Sequence, residues 1–110
     1  MELFFKLVIG HVIADYALQN DTMAVHKNRN SKSELFKTAG FPAWYYWLTA
    51  HSIIHGAAVY LVTGSMIFAL VEIFLHWLID FGKCDGSYGI HVDQTLHILC
   101  KAGYVYFILY

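Results

Sequence analysis

The sequence predicts an all-α integral membrane protein, a compact four-helix bundle, on three observations. Apolar residues make up 58 % of the 110-residue chain and charged residues 14 %, whereas soluble domains average about 45–50 % and about 25 %. The apolar residues gather into four segments, each about as long as a helix needs to cross a bilayer core. Inside those segments the ionisable residues recur four apart, the interval that returns to one helix face.

The length suits one domain over residues 1–110. The first segment runs from about 3 to 19. It lacks a basic leader and a small-x-small cleavage site, and His11 and Asp15 interrupt it, so it is expected to be mature structure. Residues 20–41 form a polar loop carrying Lys27, Arg29, Lys32 and Lys37 against Asp21 and Glu34. Pro42, the only proline, opens the second segment, 43–62, as suits a helix start. Thr63-Gly64 turns the chain into the third, 65–81, and residues 82–89 lead to the fourth, 90–110. Trp44, Tyr45, Tyr46 and Trp47 read as an interfacial aromatic belt. Cys84, in a loop, and Cys100, in an apolar helix, read as reduced thiols. His26 and His91 are expected in solvent.

The basic residues set the orientation. Both loops on one side of a four-span bundle carry Lys or Arg, and the Thr63-Gly64 turn carries none. The positive-inside rule then puts loop 20–41 in the cytoplasm and the chain in the inner membrane as a multi-pass protein. A net charge of −1 offers nothing to nucleic acid, and none is expected as a partner. The expected partners are membrane lipids, a lipid-linked substrate and a second copy of the chain.

The polar residues of the segments fall in pairs four apart: His11 and Asp15, His51 and His55, His76 and Asp80, Asp93 and His97. Two ligands at that spacing can share one metal ion, as in an HExxH helix. All eight lie in the half of their segment nearer the cytoplasmic loops, although two segments run up and two run down, so they converge on one layer. Ionisable groups in a membrane helix are costly unless paired, hydrated or metal-bound. Imidazole and carboxylate are standard ligands of divalent transition metals, zinc first, with iron or manganese as alternatives. Eight candidates exceed one tetrahedral ion. Either two ions bind, or several of the eight orient the ligands of one. A metal-free His–Asp hydrogen-bond network is the rival reading of the same layer.

Glu72 extends the third stripe and Lys101 the fourth. They can pair with each other, or Glu72 can serve as general base for a hydrolytic water. Lys83 stands where it could meet an anionic head group or only mark the interface.

The motifs His11-Val-Ile-Ala-Asp15-Tyr-Ala-Leu-Gln19, His51-x3-His55, His76-x3-Asp80 with Lys83, and Asp93-Gln94-x2-His97 resemble those of domain-of-unknown-function family 3307, a membrane family of bacteria and their phages. The resemblance spans nearly the whole chain. It implies a shared site and no particular reaction. Membrane-embedded metal hydrolases are similar in style, though the chain lacks their HExxH signature.

The functional expectation is a metal-dependent membrane enzyme hydrolysing a lipid or lipid-linked substrate at the cytoplasmic interface. The expected ligands are the eight paired residues, with Glu72 and Lys83 as catalytic candidates. Two rivals use the same layer: a non-catalytic bundle stapled by its metal or His network, and an oligomeric ion or proton conduit.

Overall fold

A computed structural model describes all 110 residues and contains no strand. Its helices are α1 (Glu2–Val12), α2 (Asp21–His26), α3 (Trp44–Thr63), α4 (Met66–Cys84) and α5 (Ile90–Leu109). A π-helical turn, Ile13–Ala17, continues α1, and a 3-10 turn spans Glu34–Lys37. The chain is all-α. α1 packs on α3, α3 on α4, α4 on α5 and α5 back on α1, which closes a ring, and the whole chain measures 49 × 26 × 21 Å.

Local chemistry sets the ends of these helices. Asn20 Oδ1 accepts from the Met23 amide at 2.8 Å and starts α2. Ser65 Oγ accepts from the Phe68 amide at 3.3 Å and starts α4. Gly64, at φ +70, ends α3 in the left-handed conformation that glycine adopts without steric penalty. Gly56 matters for packing: a Cβ there would lie 3.0 Å from the Ala69 carbonyl. Its absence lets α3 and α4 approach closely and sets the His55 turn against α4.

The interior is polar and the exterior apolar. Of 19 buried residues, twelve are polar or charged, among them His11, His51, His55, His76 and His97. The buried apolar set is small, with Leu7, Val59 and Tyr104 as its one cluster. Phe5, Leu61, Ile67, Phe74, Leu99 and Phe107 are all at least 60 % exposed. A water-soluble domain buries charged groups only when they are paired, and most of the pairing lies inside this ring.

The expectation of four spanning segments needs correcting at the level of single helices: none is long and apolar enough to cross a membrane. α1 has 11 residues before its backbone widens into the π turn. α3, α4 and α5 have 19 or 20 residues, but buried polar side chains interrupt each of them on one face.

Residues 20–41 also differ from the polar loop expected. His26 is buried, not solvated. Its Nδ1–H donates to the Thr22 carbonyl at 2.6 Å, and Nε2 accepts from the Ser33 hydroxyl at 2.7 Å. Phe36, Phe41 and Trp47 surround the ring, with centroids 4.9 to 5.7 Å away. Lys27, read from sequence as a surface charge, is only 2 % exposed and donates to Asp80 Oδ2 at 2.6 Å. Arg29 forks onto Asp85 with two bonds of 2.7 Å and lies over the Phe81 ring. Cys84 belongs to the end of α4 rather than to a loop, and both cysteines are free.

Candidate metal centre

Five imidazoles meet at the centre of the ring. His51 and His55 occupy successive turns of α3, with ring centroids 4.8 Å apart. His76 of α4 stacks on His55 at 3.7 Å and, on its other side, approaches His97 of α5 at 4.2 Å. His11 of α1 closes the group, 5.1 Å from His55 and 5.2 Å from His97. Asp15 arrives from the π turn, where the Leu18 amide reaches back five residues to the Ile13 carbonyl. Turns of this kind often occur at functional sites.

Asp15 Oδ1 stands 3.3 Å from His51 Nε2 and 3.4 Å from His55 Nε2. Neither contact is aligned as a hydrogen bond, and both ring nitrogens are buried without a partner. Ligands held at about 2.0–2.1 Å around a tetrahedral zinc lie about 3.4 Å from one another. The observed separations are therefore poor for hydrogen bonds and apt for two ligands of one ion. His76 completes this group: one donor atom from each of Asp15, His51, His55 and His76 lies within 4.8 Å of every other. Both nitrogens of His76 lack partners as well. Such buried, unpaired donors need an account in any folded protein.

A second grouping, Glu72, His76 and His97, meets the same distance criterion, but its carboxylate is already engaged. Glu72 Oε1 accepts from Lys101 at 2.5 Å and Oε2 from the Tyr104 hydroxyl at 2.6 Å. Both oxygens are taken and the charge is neutralised, so this geometry supports the pairing reading of Glu72 over the general-base reading. Asp80 lies 3.6 Å from His51 Nε2 but binds Lys27 and, at 3.3 Å, Lys83. Lys83 serves here as a partner of Asp80, with a quarter of its side chain exposed. Asp93 lies 3.3 Å from His97 Nε2.

Charge sorts these carboxylates. Glu72 and Asp80 have lysine partners, whereas Asp15 and Asp93 have none. Four carboxylates against Lys27, Lys83 and Lys101 leave a net negative charge that a bound cation would offset.

Three residues of this centre escaped the sequence reading of the ligand pool. Gln94 bridges His11, Asp15 and Asp93. As a neutral amide it gave no sign of cost in an apolar segment. Tyr104 continues the face of His97 and Lys101, so its spacing could have revealed it. Lys27 comes from outside the helical segments, and only tertiary structure brings it in.

No curated protein and no solved structure matches the chain. A family model described as "Protein of unknown function (DUF3307)" matches residues 3–108. With nearly the whole chain covered, helices and polar centre alike, this protein belongs to the DUF3307 family.

Proposed function

We propose that this protein is a metal-dependent hydrolase embedded in the inner membrane, acting on a lipid or lipid-linked ester, amide or phosphoester near the cytoplasmic face. The observation that carries the reading is the set of buried, unpartnered ring nitrogens of His51, His55 and His76 gathered with the Asp15 carboxylate, spaced as ligands of one ion. A divalent ion bound there supplies Lewis acidity to a substrate oxygen. Asp15, the one member of the set that is not fully buried, has 12 % of its side chain exposed and marks the side of approach.

The membrane setting is supported by the inverted distribution of polarity. A hydropathy average along one helix mixes a buried polar face with an outer apolar one, so it understates how apolar the assembled exterior is. Lipid would meet only that exterior, and charged groups inside a membrane protein face the bundle interior. A groove of about 640 Å³ between α1 and α3, lined by Ile9, Ile13, Ala14, Ile54, Ala57 and Leu61 among others, suits an acyl chain. Ala14 and Ile54 are the chain neighbours of Asp15 and His55. The near-complete burial of the histidines also favours a second reading, an ion that staples the helices without catalysis.

Metal analysis of protein purified in detergent without chelators tests the centre, and about one zinc, iron or manganese ion per chain is the expected result. No stoichiometric ion, together with no stabilisation by any of the three, overturns it. Resistance to alkaline carbonate extraction tests the membrane setting. Recovery as a monodisperse soluble species without detergent defeats that part.

A further inference from the structure

Gln94 turns one end of its amide to two carboxylates and the other to a histidine. Its Nε2 lies 2.9 Å from Asp15 Oδ2 and 3.0 Å from Asp93 Oδ2, and its Oε1 lies 2.9 Å from His11 Nε2. Flipping the amide would set an oxygen against two carboxylate oxygens. Charge therefore fixes the orientation: only the NH2 end can face both aspartates. An amide oxygen only accepts, so His11 Nε2 must carry the proton. A neutral imidazole has a single N–H, which leaves Nδ1 of His11 with a lone pair. That atom is buried and has no partner. The ring sits among those of His55 and His97, yet His11 belongs to neither donor group that could hold an ion.

We propose that Gln94 is a positioning residue that holds His11 as its Nε2–H tautomer, so that the Nδ1 lone pair is turned to the histidine cluster, beside the ion's ligands rather than among them. Its place beside the ion rests on the ion site proposed above, whereas the tautomer does not.

The test is long-range proton–nitrogen correlation NMR of histidine-labelled protein, recorded metal-free and after loading with zinc. His11 is expected to show a pyrrole-type Nε2 and a pyridine-type Nδ1 in both states, while His51, His55 and His76 each gain one zinc-bound nitrogen. A proton on Nδ1, or a zinc-bound Nδ1, overturns the proposal. His11→Gln is expected to keep its full complement of zinc, and loss of the ion from that variant also overturns it. Gln94→Met is expected to turn the single His11 tautomer into a mixture. Unchanged His11 signals in that variant defeat the role of Gln94, and wild-type spectra decide the tautomer even if a variant fails to fold. Failure of wild-type protein to bind zinc defeats the ion reading, while the metal-free spectrum still decides the tautomer separately.

Discussion

The Glu72–Lys101–Tyr104 cluster and the Asp15–His51–His55–His76 cluster lie in the same buried layer and solve the burial of charge in opposite ways. In the first, each carboxylate oxygen accepts one short hydrogen bond and one ammonium balances the charge. In the second, a carboxylate faces two ring nitrogens at distances too long and too poorly aligned to satisfy them, and no lysine or arginine pairs with it. A closed network of the first kind holds helices together and is costly to break. An open one is unstable as it stands unless something enters it. The contrast separates structural charge from the candidate site without reference to any reaction.

The sharpest way to break this division is to remove one partner from each cluster. Lys101→Met or Glu72→Gln should lower stability by about 3–5 kcal/mol, because each strands a buried partner. The double variant should lose much less than the sum, and all three should retain the ion, as denaturant unfolding and metal analysis in detergent can show. If the single variants lose the ion as fully as a ligand variant does, the two clusters are one site.

On the other side, His51→Ala should weaken metal binding by more than about 100-fold, and Asp15→Asn, nearly isosteric, by about 10- to 100-fold. Competition titration with a chelator reads both. Neither should destabilise metal-free protein as much as Lys101→Met does.

His26→Ala sharpens the comparison from a distance. The ring is packed and its two hydrogen bonds go to Thr22 and Ser33, neither part of the centre, so its loss should lower stability by about 2 kcal/mol and leave metal content unchanged.

The smallest effect is expected at the exposed Arg29–Asp85 fork. The guanidinium beside Asp85 holds that carboxyl below its ordinary range. A carboxyl with a lowered folded-state value stabilises above its unfolded value and loses that contribution as pH falls through the folded one. Asp85→Asn should therefore lower hydrogen-exchange protection at residues 27–30 slightly at neutral pH and converge with the wild type in acid, which flattens the acid limb.

The all-α class was legible because helical periodicity is local: ligands four apart share a face whatever surrounds them. The gathering of Asp15, His51, His55 and His76 was legible for the same reason, joined to the cost of polar groups in apolar segments. Pairings set by tertiary contact were not. Lys27 has an ordinary sequence neighbourhood for a surface lysine, and its burial depends on Asp80 of another helix. His26 sits in a polar stretch, and only the fold brings Phe36, Phe41 and Trp47 around it. The π turn that carries Asp15 left no mark in the spacing, because it alters backbone hydrogen bonds and not residue types. The spanning segments expected from the sequence did not emerge as single helices, because a polar face turned inward breaks each apolar run.

Lys27 also bears on the order in which the chain takes shape. Its partner Asp80 lies 53 residues downstream, so the segment between α1 and α3 is synthesised well before anything exists to receive its ammonium. Until α4 arrives, that lysine is better hydrated than buried, and the His26 aromatic nest has no anchored end. Closing so long a loop adds only slowly to the entropic cost as it lengthens, so the delay is set by sequence order more than by distance. The Lys27–Asp80 contact thus cannot form before α4 is made, and until then the end of the ring beside Asp80 has no lysine to close it.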